Sequence, residues 1–232
     1  MSPAKLPLYL HEEIMLLALR DEAGTVEFGS QYAYALGGAL LAELLLRGRI
    51  AAEDDKKRLV NLLADDAIGE PILDECLQKV ATARRRARIQ TWLLRFAGIK
   101  QLHHRIAQGL CDRGILYADE QTILLVFHRK VYPELNPEPE RKLIERLRDA
   151  IFTDSDRVEP RTVILVSLAN SAGLLRTTFD KKELKKRKQR IDQLTNGELT
   201  GKAAKEAIEA AQTAAMIACI MPAIVTTTVA TH

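Results

Sequence analysis

Residues 34–46 read Tyr-Ala-Leu-Gly-Gly-Ala-Leu-Leu-Ala-Glu-Leu-Leu-Leu, with Glu43 as the sole charge. A helix apolar on nearly every face has no side to give to water, so it must run through the middle of a domain. Gly37 and Gly38 inside it admit a close neighbour, at some cost in helix propensity. Residues 161–175, just after Pro160, form a second nearly continuous apolar helix. Two such helices need others packed around them.

The rest of the chain supplies that layer. Amphipathic patterns mark helices over residues 9–20, from Pro71 through Leu77 and Val80, and over 89–96 with Trp92. Residues 100–113 repeat the pattern and stop at Gly114, and residues 141–151 place Leu143, Ile144 and Leu147 on one side. Pro133, Pro137 and Pro139 read as a rigid break before that last helix. Residues 50–64 fit a short hairpin or a helix, and strands are the expectation. Residues 115–132 change character: Leu116-Tyr117 and the run from Thr122 to Phe127 read as two strands around a polar Asp119-Glu120-Gln121 turn.

Hydrophobic residues make up 47% of the 232-residue chain but aromatics only 5%, so Leu, Ala, Ile and Val must fill the core. Helices tolerate these residues best. The expected fold is mainly α: a buried helical bundle surrounded by amphipathic helices, with one or two short β-hairpins, in one domain over residues 1–232. A basic segment at 181–190, a closing helix over about 202–221 and a flexible tail at 222–232 complete it. Cys76, Cys111 and Cys219 are odd in number and far apart, which suits reduced structural thiols in a cytoplasmic protein. The first ten residues hold two prolines and no signal-like apolar run. Residues 210–231 are uncharged, but their Ala and Thr content and Pro222 favour a buried helix over a membrane span.

No pattern in the sequence describes an active site, a metal site or a cofactor site. His103 and His104 are adjacent, so on a helix they point about 100° apart and do not share one ion. His11-Glu12-Glu13 lacks the second histidine of a zinc-protease helix. Gly197-Glu198-Leu199-Thr200-Gly201-Lys202-Ala203 is one residue short of a phosphate-binding loop and ends in Ala where Ser or Thr is required. A net charge of +3 is too small for nucleic acid unless concentrated, and the dense run from Lys181 to Arg190 has no interleaved aromatics. That run, with Arg84 to Arg88, reads either as a solvated face or as a cationic face for anionic membranes.

Taken in order, several segments resemble the Golgi phosphoprotein 3 family, Golgi-associated coat adaptors and their bacterial relatives. They are Leu10-His11-Glu12-Glu13-Ile14-Met15-Leu16-Leu17-Ala18-Leu19 with Asp21 and Gly24, and Gly38 through Glu43-Leu44 to Arg47-Gly48-Arg49-Ile50. Further along come Leu73-Asp74-Glu75, Gln90-Thr91-Trp92, Arg105-Ile106-Ala107 with Gly114-Ile115-Leu116, and Arg161-Thr162. The chain starts a few residues before the first of these, which points to a bacterial relative without the basic N-terminal arm of eukaryotic members.

The resemblance implies a headgroup pocket for phosphatidylinositol 4-phosphate and an apolar hairpin that enters the membrane. The hairpin falls on Ile123, Leu124, Leu125, Val126 and Phe127, with Arg129 and Lys130 beside it; read from the residues alone, the run is an ordinary core strand. The pocket falls on Phe28, Lys100, His103 and Arg105, while one arginine position of the family holds Gly37. Neither glycine nor lysine reproduces the two-bond grip of a guanidinium on phosphate. The expected function is a cytoplasmic, peripheral membrane adaptor, on the Golgi face in a eukaryote or the inner membrane in a bacterium. It would bind an anionic phospholipid surface, recruit a cytosolic or membrane-tail protein, and self-associate through the hairpin. The alternative is a soluble helical scaffold whose lipid pocket has decayed.

Overall fold

A computed structural model of the protein describes residues 7–19, 30–53, 56–123, 127–155, 157–198, 207–209 and 212–213. The first half contains α1 (Leu10–Ala18), α2 (Ser30–Leu46), β1 (Ile50–Ala52), β2 (Val60–Leu62), α3 (Pro71–Ala81), α4 (Ile89–Ala97) and α5 (Leu102–Asp112). The second contains β3 (Asp119–Ile123), β4 (Phe127–Val131), α6 (Glu138–Phe152), α7 (Pro160–Ser171), α8 (Leu175–Thr178), α9 (Lys181–Lys186) and α10 (Lys188–Thr195). The protein is therefore mainly helical, with two short antiparallel strand pairs, β1 with β2 and β3 with β4.

The apolar helix α2 lies at the centre, packed against α1, α3, α4 and α7. Its closest neighbour is fixed by Gly37. A Cβ at that position would meet the Leu93 carbonyl oxygen at 2.6 Å and the Ala97 Cβ at 2.9 Å, so no larger side chain fits the α2–α4 crossing. Gly37 is thus a packing residue, and its position cannot hold an arginine reaching for solvent. The second apolar helix, α7, is buried from Thr162 to Ala169 and packs on α1, α2, α6 and α10. It is shorter than the sequence suggests, because Gly173 takes a left-handed φ of +77° and breaks 161–175 into α7 and α8.

Local chemistry explains the helix ends. Glu70 precedes α3 and its carboxylate accepts from the Leu73 N–H at 2.6 Å, with Pro71 opening the helix. Asp180 caps α9 by accepting from the Lys182 and Glu183 N–H groups. At the C-terminus of α6, two arginines of the basic run satisfy the last carbonyls. Arg187 donates to Ile151 and Thr153, and Arg190 to Ala150. The run from Lys181 to Arg190 is consequently divided between structural arginines and exposed lysines at 181, 182, 185, 186 and 188.

Two boundaries differ from the sequence reading. Helix α6 begins at Glu138, and Pro139 sits in its first turn, where a missing N–H costs nothing. The β3–β4 hairpin is also displaced: Asp119, Glu120 and Gln121 belong to β3 and pair with Val131, Lys130 and Arg129. Residues 50–64 form the expected strand pair. Cys76 and Cys111 are free thiols. Cys219, the tail and most of the closing helix lie outside the described residues, as does nearly all of the uncharged stretch at 210–231. Among the described residues, no helix is long and apolar enough to cross a membrane.

Candidate functional site

Among the described residues the β3–β4 hairpin is a two-stranded ribbon that pairs with no other strand, tied to the body at one end. At its root Leu116 and Glu134 form an isolated bridge, and Val131 and Tyr132 are buried at 0% and 6% exposure. Five rungs lead outward to Ile123 opposite Phe127. The apolar run therefore begins on the last rung of one strand and ends on the last rung of the other, with residues 124–126, outside the described residues, joining them. Tyr117 and Leu135 flank the root as exposed apolar side chains, at 44% and 61%.

Helix α5 braces that root. The His104 Nδ1 lies 3.0 Å from the Tyr132 hydroxyl, and the His103 and His104 rings meet at a tilt of 44° with centroids 3.9 Å apart. Burial, followed by the neighbouring His104, pushes the His103 pKa down to about 4. Burial, followed by Lys130 on β4, lowers that of His104. Both rings are neutral near pH 7.

The residues expected to hold a headgroup are dispersed. Lys100 is exposed in the turn before α5, His103 is half-buried in its first turn, and Arg105 turns to α3, where its Nη1 lies 2.6 Å from the Glu75 carboxylate. Phe28 lies outside the described residues. The structure thus brings Lys100 and His103 to one end of α5 and engages Arg105 elsewhere.

Sequence reasoning passed over a buried ionic network. Glu43, 1% exposed, accepts from the Leu10 N–H at 2.9 Å, from Arg47 Nε at 2.8 Å and from Arg161 Nη1 at 3.0 Å. Arg161 also donates to the Leu8 carbonyl at 2.6 Å, pinning the start of α1 to α7. Glu13 accepts from Arg146 at 2.8 Å, and Arg161 Nε lies 3.5 Å from its other oxygen. Burial raises the Glu13 pKa against the pull of Arg161 and Arg146. Glu12 pairs with Arg113 and accepts from the Tyr9 N–H at 2.8 Å. The signal was present: carboxylates inside apolar helices survive only when paired.

A cleft of about 770 Å³ opens beside this network, lined by Glu13, Arg113, Arg146 and Arg161 among others. Glu13 pairs there with Arg146 and Arg161, which ties α1 to α6 and α7 and is the work of a helix clamp. Among the described residues, no group of three or more His, Cys, Asp or Glu side chains is placed to hold a metal ion.

A model of the Golgi phosphoprotein 3 (GPP34) family matches residues 10–211. The vacuolar protein sorting-associated protein 74 of Eremothecium gossypii is 25% identical over 213 residues, covering 78% of this chain and 64% of that protein. The chain therefore spans less than two thirds of the length of this relative.

Proposed function

The chain belongs to the Golgi phosphoprotein 3 (GPP34) family, and on that premise we propose that it docks reversibly on an anionic membrane surface. The observation that carries this reading is the hairpin register. Ile123 pairs with Phe127 on the rung farthest from Val131 and Tyr132, the buried residues at the root, which fits a hairpin that reaches away from the core. Exposed Tyr117 and Leu135 at the root, and Lys130 on β4, give the flanking apolar and cationic groups that an interfacial element uses.

The charge at the start of α5 bears on lipid selectivity. Lys100 supplies positive charge there, while His103 is neutral near pH 7 and Arg105 is paired with Glu75. A point charge collects anionic lipid without enforcing one headgroup geometry. We therefore read the protein as responding to surface charge, with phosphatidylinositol 4-phosphate as one such headgroup, and with the exposed lysines of α9 and α10 adding long-range attraction. Gly37 lends no support to a decayed pocket, because the α2–α4 crossing requires it. Recruitment of a protein partner and self-association through the hairpin belong to the same proposal; no catalytic step is part of it.

Sedimentation with phosphatidylcholine vesicles carrying phosphatidylserine, with and without phosphatidylinositol 4-phosphate, tests this reading across a salt series. Binding that follows total negative charge and fades with salt is expected. Binding to neutral vesicles alone contradicts it.

A further inference from the structure

The basic stretch from Arg84 to Arg88 does not act as one unit. Arg86 is drawn to Glu53 and Asn61 on the β1–β2 side. Arg84 and Arg85, both exposed, line an open cleft of about 730 Å³ together with Lys79 of α3 and Trp92 and Arg95 of α4. Among the described residues, no carboxylate lines this cleft. Lys79 shares Glu75 at 3.4 Å, while among the described residues Arg84, Arg85 and Arg95 have no carboxylate partner.

Trp92 adds a second, independent observation. It is 2% exposed, and its indole Nε1 is a buried donor with no acceptor. The Arg95 guanidinium lies over its ring at 4.7 Å from the centroid. A buried donor without an acceptor is costly, and like charges gathered without a counter-charge repel. An anion rich in acceptor oxygens offsets the gathered charge and brings acceptors beside the indole that lines the cleft. Guanidinium groups favour phosphate because their planar donors match its oxygens in pairs.

We propose that the cleft between the end of α3 and α4 binds a compact phosphate-bearing anion, free or carried by a lipid headgroup. It lies on residues other than Phe28, Lys100, His103 and Arg105, and does not involve the hairpin.

The chain contains one tryptophan, Trp92, so tryptophan fluorescence is read at this cleft. The experiment titrates the full chain with inorganic pyrophosphate and, separately, with phosphatidylcholine vesicles carrying phosphatidic acid. It compares Arg84→Ala/Arg85→Ala with Arg141→Ala/Lys142→Ala, which removes equal charge from exposed positions of α6. The proposal expects a saturable fluorescence change with at least one probe. That response should weaken about tenfold in the Arg84/Arg85 variant, hold in the Arg141/Lys142 variant, and partly return in Arg84→Lys/Arg85→Lys. A response to pyrophosphate identifies a soluble ligand class, and a response to vesicles alone identifies a headgroup. No saturable change with either probe, or an equal loss in both alanine variants, overturns it. Circular dichroism of each variant establishes that the fold is retained.

Discussion

The His104 imidazole meets the Tyr132 hydroxyl at 3.0 Å, so helix α5 holds the residue immediately beyond β4 and with it the root of the hairpin. Tyr132→Phe removes that contact and keeps the ring. The expected loss is about 1 kcal/mol of stability, or roughly 2–4 °C in melting temperature for a chain of this size. Amide exchange in β4 should accelerate more than exchange in α7. Uniform acceleration across both elements would show that the contact does not anchor the hairpin.

Gly37 admits nothing larger at the α2–α4 crossing. Gly37→Ala forces a Cβ to within 2.6 Å of the Leu93 carbonyl oxygen and should cost about 1–3 kcal/mol. The urea midpoint measures it. Gly37→Arg should fail to fold rather than restore a headgroup contact, and a soluble, cooperative Gly37→Arg protein would contradict the packing argument.

Glu43 joins three donors from different parts of the chain. Glu43→Ala leaves the Arg161 guanidinium and the Leu10 N–H without their acceptor, and breaking such a buried pair costs about 3–5 kcal/mol. Denaturant unfolding should show this loss, and Arg161→Ala should show a loss that is not additive with it. Additive losses would mean that the two side chains act separately.

These residues also show how far the sequence could be read. The central position of α2 follows from its apolarity alone, and Glu43 is conspicuous within it, but no pattern ties Glu43 to Arg161 far along the chain. Such pairing is a property of the assembled bundle. The hairpin was legible as a hairpin and misplaced in register, because Asp119-Glu120-Gln121 has turn composition. Asp119 and Glu120 sit on β3 without cost because both remain exposed on a two-stranded ribbon. The prolines before α6 misled in the same way, since a first-turn proline looks like a break. Of the candidate headgroup residues, Lys100 and His103 converge, whereas Arg105 is taken by Glu75, a partner on another helix that spacing cannot reveal.

His103 supplies a pH test with a definite sign. Its folded pKa of about 4 lies below the ordinary 6.5, so as pH falls the unfolded chain takes up the proton first. The contribution to stability is whole above pH 6.5 and is lost progressively down to pH 4. His103→Gln removes it, so the stability difference between the native chain and the variant should shrink or reverse across that window. A nuclear magnetic resonance titration of the imidazole should show no midpoint between pH 7 and 5.5. A midpoint near 6.5 would mean that the ring is solvated and free to charge.

Membrane docking through the hairpin is the central claim, and co-flotation with anionic liposomes of the native chain beside a Leu124→Asp/Leu125→Asp variant tests it most directly. The account expects the native chain to float at low salt and the variant to stay in the dense fraction while keeping its circular dichroism and melting temperature. Equal flotation of both would place the membrane contact elsewhere on the molecule, and no flotation of the native chain at low salt would contradict the claim outright.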